Sequence, residues 1–142
     1  QAGRYRSVKF FDDVANYMAF GIRSICGMGG QCTPQLVVEA NGSVYPCDFY
    51  VMDEYQIGNF NTDSFDQMDQ KRSEIRFIEQ SSQVEEACIS CPYFLLCRGG
   101  CRRNRGNGMQ TEQTRNNFCE GYKIFFEKWY DTLMQLGKLV QR

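Results

Sequence analysis

No histidine occurs anywhere in the 142 residues. That absence removes the Ser-His-Asp triad, the Cys-His dyad, every zinc site that needs imidazole, and c-type haem attachment. Long apolar runs are missing too. The longest candidates are Leu36–Val38 and Tyr93–Cys97, far short of the roughly 18 residues of a membrane span. Neither sign of charge dominates: 16 basic side chains stand against 17 acidic ones, a net charge of −1. Such a balance offers nothing to attract nucleic acid or an anionic membrane. The N-terminus lacks a basic segment followed by an apolar one, so no signal peptide is visible. The chain opens on Gln1 rather than Met, and reads as a cytoplasmic chain processed or excised from something longer.

Enough apolar material remains for a core. Hydrophobic residues make up 42% and charged residues 23%, ordinary globular usage for a single domain of this length. Between residues 5 and 23 the apolar positions Val8, Phe11, Val14, Ala15, Met18 and Ile22 step at helical spacing. Ser7 is the expected N-cap and Gly21 the expected end. Cys26-Gly-Met-Gly-Gly-Gln-Cys32 follows as a turn whose glycines let backbone pass close to something bulky. Leu36–Ala40, Asn41-Gly42 and Ser43–Pro46 predict a hairpin with a two-residue loop. In that register Ala40 faces Ser43, Leu36 faces Cys47, and Cys47 is carried back toward Cys32. Residues 63–80 read as one helix through Phe65, Met68, Ile75 and Ile78, capped by Asp63 or Ser64. Residues 87–121 read as loop. A final helix carries Phe118, Tyr122, Phe125, Phe126, Trp129, Leu133, Leu136 and Val140 as a core stripe.

The eight cysteines fall into two groups along the chain. One is Cys26-x5-Cys32-x14-Cys47; the other is Cys88-x2-Cys91-x5-Cys97-x3-Cys101-x17-Cys119. Two sets of four thiolates would suit two [4Fe–4S] clusters or two zinc ions. Eight thiols can also pair as four disulfides, and Cys88-x2-Cys91 alone could be a redox pair. Cys88-Ile-Ser-Cys91-Pro92 has ferredoxin-like spacing, whereas a zinc ribbon would show two Cys-x2-Cys knuckles and only one is present. Four arginines lie within Cys97–Arg105. They are either a solvated face or counter-charges to an anionic cluster.

Cys32-x9-Gly42-x4-Cys47, Cys88-x2-Cys91-x5-Cys97-x3-Cys101 and Cys119 together resemble the seven-cysteine signature of the SPASM domain. That domain is the C-terminal extension of radical S-adenosylmethionine (SAM) enzymes that modify peptides and proteins. Cys26-Gly-Met-Gly-Gly-Gln-Cys32, Gly42-Ser-Val-Tyr-Pro-Cys-Asp-Phe49, Gln56-Ile-Gly-Asn59 and Cys97-Arg-Gly-Gly-Cys101 further resemble the anaerobic sulfatase-maturating enzymes. These oxidise one cysteine or serine of a sulfatase to formylglycine. The resemblance implies a loop-rich α+β domain with a β-hairpin and flanking helices around two [4Fe–4S] clusters. It implies residues 1–25 as the end of, or link from, a radical SAM barrel, 26–121 as the two-cluster domain, and 122–142 as a packing helix. Cys26, Cys32, Cys47 and Cys101 would hold the first auxiliary cluster, and Cys88, Cys91, Cys97 and Cys119 the second. Asp48 would be the base that removes the substrate thiol or hydroxyl proton.

No Cys-x3-Cys-x2-Cys triplet is present. SAM and a third [4Fe–4S] cluster would therefore sit in a catalytic domain outside this sequence, and this chain alone would be inactive. The implied partners are a sulfatase polypeptide and an external electron carrier such as ferredoxin or flavodoxin. Two other readings remain: the same domain in a thioether-forming or quinone-cofactor maturase, and a structural module held by four-cysteine zinc sites.

Overall fold

Helical spacing of apolar residues produces α1 (Lys9–Phe20), which ends where Gly21 turns left-handed at φ 69° and donates its N–H to the Tyr17 carbonyl. The computed structural model describes residue 3, residues 6–108 and residues 115–141. Residue 5 and residues 109–114, included above in the first helix and the loop-like stretch, lie outside the described residues. The helix starts later than the sequence spacing implies. Val8 and not Ser7 stands at the N-cap, and its hydrocarbon side chain makes no capping bond; the Ser7 hydroxyl donates to the Asp12 carboxylate.

The Gly-rich turn after it contains a single helical turn, α2 (Cys26–Gly29). A Cβ on Gly30 would lie 2.7 Å from Arg98 Cβ, so the bulky neighbour of this turn is an arginine stem. Strands β1 (Val37–Val38), β2 (Ser43–Tyr45) and β3 (Gly58–Asn59) form a small antiparallel sheet in the order β1-β2-β3. Val37 pairs with Tyr45 and Val38 with Val44. The hairpin loop is thus Ala40-Asn41-Gly42, three residues rather than two. Glu39 and Ser43 close it, Gly42 N–H bonds the Glu39 carbonyl, and Gly42 adopts φ 86°. A type I turn followed by one left-handed glycine gives this loop. The added residue slips the register, so that Leu36 stands opposite Pro46 rather than Cys47. β3 comes from Gln56–Asn59, which the sequence reading had not made a strand.

The expected helix over 63–80 is two helices, α3 (Phe65–Glu74) and α4 (Phe77–Ser81), broken at Arg76, whose φ is 50°. Ser64 does cap α3, exchanging bonds with Gln67 in a full capping box. The loop-like stretch carries α5 (Glu86–Ile89) and α6 (Phe94–Cys97), then α7 runs from Cys119 to Val140. With one small sheet among seven helices, the described fold is α+β. None of these helices is long and apolar enough to cross a membrane.

Two apolar clusters divide the molecule. Val14 of α1, Met28, Leu96, and Phe126 and Leu133 of α7 make the larger one. Val44, Ile57 and Met68 make the smaller, between sheet and α3. Only part of the last helix's stripe is core. Phe126 and Leu133 are buried, while Phe118, Trp129, Leu136 and Val140 are exposed. α1 and α7 approach closely at Gly137, where an added Cβ would sit 2.7 Å from Met18 Cβ and 3.0 Å from its carbonyl carbon. Gly121 in the same helix has open space. Alanine improves helix propensity by up to about 1 kcal/mol over glycine, but overpacking costs about 1–3 kcal/mol. Gly137→Ala should therefore lower the melting temperature and Gly121→Ala should raise it. Thermal melts of the two variants check this, and a rise for both would mean that the helices do not pack at Gly137.

Candidate functional site

All eight cysteines are free thiols, each half-buried. Their loops have little regular structure, so side chains hold them. The fully buried Asp13 carboxylate accepts from the backbone N–H groups of Ser24 and Ile25, from the Ser24 hydroxyl, and from Arg23 at 3.1 Å. That fixes the entry to Cys26. Arg23 also donates to the carbonyls of Leu95 and Leu96, at 3.0 and 2.6 Å, tying the Cys26 turn to the helix that ends at Cys97. Cys32 N–H donates to the Ser81 hydroxyl at 2.7 Å.

The thiols sort by their neighbours. Cys26 interacts electrostatically with Cys101, Cys32 with Cys101 and Cys26, and Cys47 with Cys32. Cys88 interacts with Cys119 and Cys97, and Cys97 with Cys91 and Cys119. Cys26, Cys32 and Cys101 line one small recess together with Gly27, Gly100 and Ser81. Cys88, Cys91, Cys97 and Cys119 line another of about 50 Å³, walled by Tyr93, Phe94, Tyr122 and Phe126. The Cys101 thiol thus neighbours Cys26 and Cys32 even though it lies only four positions after Cys97 in sequence. Among the described residues no three Cys, Asp or Glu side chains converge on a point that would grip one ion; the sulfurs surround spaces. Cys26, Cys32 and Cys101 at one recess, with Cys47 neighbouring Cys32 but outside the recess lining, and four sulfurs at the other, with no imidazole in the chain, are a donor set that fits iron–sulfur clusters.

Burial raises the thiols of Cys26, Cys32, Cys88 and Cys97 above the ordinary value. Burial pushes Cys47 up to about 12, with the neighbouring Asp48 adding to the effect. Asp48 follows Cys47 at the start of a 3-10 turn over Asp48–Tyr50. Its side chain is exposed, and the Cys47 thiol donates to its Oδ1 at 3.3 Å. Tyr45 and Tyr50, which flank this region in sequence, are buried. The Tyr50 hydroxyl donates to the Gly108 carbonyl at 2.6 Å, so it is a core group and not a contact for an incoming peptide.

Sequence reasoning did not resolve the four arginines. Arg102 and Arg105 are each only 6% exposed; Arg103 is exposed and Arg98 half-buried. Arg102 lies over the rings of Phe77 and Tyr50 and donates to the Phe77 carbonyl at 2.9 Å. A signal for Arg105 is the glycine pair before it: Gly99 and Gly100 both take positive φ, and their carbonyls accept from Arg105.

Residues 26–92 match the model of the SPASM iron–sulfur cluster-binding domain. The cysteine-type anaerobic sulfatase-maturating enzyme of Clostridium perfringens (strain 13 / Type A) is 38% identical over 139 residues, covering 98% of this chain and 38% of that enzyme. The serine-type enzyme of Bacteroides thetaiotaomicron is 30% identical over 123 residues, covering 84% of this chain and 30% of its own length. A solved structure described as native anSMEcpe with bound AdoMet and Cp18Cys peptide superposes with a TM-score of 0.87 at 39% identity, covering 94% of this chain and 37% of that one. Residues 26–92 therefore resemble a SPASM domain, and nearly the whole chain is similar to the anaerobic sulfatase-maturating enzymes. It spans about 38% of the length of the Clostridium relative.

Ser81 gives a direct test of how the Cys32 loop is held. It is 2% exposed, and its hydroxyl accepts from Cys32 N–H while donating to the Ile78 carbonyl. Removing that oxygen strands a buried N–H, at a cost of about 1–3 kcal/mol. Ser81→Ala should lower the melting temperature of the protein. A melt identical to that of the parent would show that the loop is held by other means.

Proposed function

We propose that this chain is the auxiliary-cluster domain of an anaerobic sulfatase-maturating radical SAM enzyme, which oxidises a sulfatase cysteine or serine to formylglycine. The sorting of Cys26, Cys32 and Cys101 to one recess and of Cys88, Cys91, Cys97 and Cys119 to another is the observation that carries this reading. On this reading Cys26, Cys32, Cys47 and Cys101 hold one [4Fe–4S] cluster, and Cys88, Cys91, Cys97 and Cys119 hold the other. Residues 26–121 form the two-cluster domain, residues 1–25 lead from the barrel, and residues 122–142 pack beside them. SAM and the third cluster belong to the barrel, so this chain is inactive alone. A sulfatase polypeptide is the substrate, and a ferredoxin- or flavodoxin-like carrier takes the electron away.

The oxidation removes one Cβ hydrogen atom, one thiol or hydroxyl proton and one electron from the substrate residue; serine gives formylglycine directly, and cysteine gives a thioaldehyde that water converts to formylglycine with release of hydrogen sulfide. When bound, fully cysteine-ligated clusters supply one-electron acceptors and leave no open iron for SAM. The proton is the task of this chain's own residues. Asp48 is exposed, so an incoming side chain can reach it. Its Oδ1 already accepts from a thiol, that of Cys47; once Cys47 is a thiolate ligand, that acceptor position is free for a substrate S–H or O–H. Taking the proton as the Cβ hydrogen leaves prevents an unstable cation from building up on the substrate. The 3-10 turn that begins at Asp48 and the buried Tyr50 anchor hold the carboxylate beside Cys47.

Two measurements test the reading. Anaerobically purified protein should contain about eight iron and eight sulfide per chain, from two four-iron clusters; about two zinc without sulfide would replace it with a structural module. In the full-length enzyme, Asp48→Asn should lower formylglycine yield by about 100-fold or more, as for loss of a general base, while SAM cleavage continues. Unchanged yield would remove Asp48 from the mechanism.

A further inference from the structure

The guanidinium of Arg105 is buried without a carboxylate partner among the described residues. Its Nε donates to the Gly99 carbonyl at 3.1 Å and its Nη2 to the Gly100 carbonyl at 2.8 Å. Its Nη1 donates to the carbonyls of Ser81 and Gln83, at 2.9 and 2.6 Å. Carbonyls satisfy the N–H groups but bring no negative charge, and a buried unpaired cation is costly. Such a charge calls for anions nearby.

The bonding partners lie on the segments that carry the cysteines, whose sulfurs are anionic when they hold a cluster. Gly99 and Gly100 lie between Cys97 and Cys101, the crossing point of the two cysteine sets. Ser81 also receives the Cys32 N–H, and Gln83 opens the segment that leads to Cys88. Arg105 accordingly interacts electrostatically with Cys32 and Cys101 of one set and Cys88 of the other. Burial pulls its proton affinity down, and these three sulfurs push it back up; a guanidinium stays charged in either case. Arg102 differs, because it lines the recess of Cys26, Cys32 and Cys101 and not that of Cys88, and its charge lies over the Phe77 and Tyr50 rings.

We infer that Arg105 is a shared counter-cation for both cysteine sets, a positioning residue whose buried charge raises the reduction potentials of both clusters. The inference rests on the two-cluster reading above. Reduction adds one negative charge to each four-thiolate cluster. A fixed cation in a dry, low-dielectric setting stabilises the reduced form more than the oxidised form, and salt screens it little. One residue thereby sets the offset of both potentials together.

The experiment is an EPR-monitored redox titration of the iron-loaded protein, after iron and sulfide counts. Wild type without iron and sulfide would overturn the cluster reading itself, separately from the role of Arg105. Given loaded wild type, Arg105→Gln should lower both potentials. Arg105→Lys keeps the charge and loses most of the bonds, so it should stay near wild type. Arg103→Gln removes a charge from an exposed position and should change neither potential. Unchanged potentials in Arg105→Gln, or a shift at one cluster alone, would overturn the shared role. Equal shifts in the Gln and Lys variants, or a Lys variant that fails to bind iron, would assign Arg105 to loop structure and not to charge.

Discussion

Side-chain bonds to backbone hold the cysteine loops, and the arrangement of the thiols depends on them. Regular secondary structure satisfies its own N–H and C=O groups; loops that carry eight thiols do not. Four buried side chains make up the difference here. Asp13 takes the N–H groups before Cys26, Ser81 takes that of Cys32, and Arg105 covers the carbonyls between Cys97 and Cys101. Asn116 adds a fourth, donating to the Gly99 carbonyl at 3.2 Å and accepting from Phe118 N–H just before Cys119. Each lies within a few residues of a thiol, in sequence or through its bond.

The helices supply the rigid frame for these loops. α1 and α7 share an aromatic seam in which Phe10 meets Tyr122, Phe125 and Phe126 at centroid distances of 5.4 to 6.4 Å. Aromatic pairs of this kind add about 0.5–1.5 kcal/mol each beyond burial. The seam continues through Tyr93, which packs on Phe126, and both rings wall the recess of Cys88, Cys91, Cys97 and Cys119. A second aromatic group, Tyr50, Tyr55 and Phe77, holds the Asp48 turn against α4 and carries Arg102 on its surface.

The sequence was most legible where a residue type has one main physical use. Gly21 had to end a helix and does. Ser64 with Gln67 three positions on had to form a cap and does. The cysteine spacing pointed to the SPASM domain. Legibility failed where two local solutions are nearly equal. Asn41-Gly42 suits a two-residue loop as well as a three-residue one, and here Glu39 N–H bonds the Ser43 carbonyl to close the longer version. Nothing in 63–80 announces a break, because Arg76 is an ordinary helix former; its left-handed φ accompanies a tertiary contact, that of the next residue, Phe77, with Tyr50. The arginines were undecidable for a related reason. Charge and spacing do not distinguish Arg103, which faces solvent, from Arg105, which does not.

The path of the chain between the two recesses has a consequence of its own. Cys97 and Cys101 are separated by Arg98-Gly99-Gly100, too few residues for either to move without the other. All three take positive φ, and a Cβ on Gly100 would lie 2.4 Å from Asn116. This short bridge is therefore both left-handed and tightly packed. On the proposed partition it joins one cluster directly to the other. Folding of cysteine-rich sites is coupled to occupancy, so ordering one set of sulfurs would pre-order the bridge and, through it, the second set. The two sites would then assemble as one cooperative unit, although their ligands are interleaved along the chain.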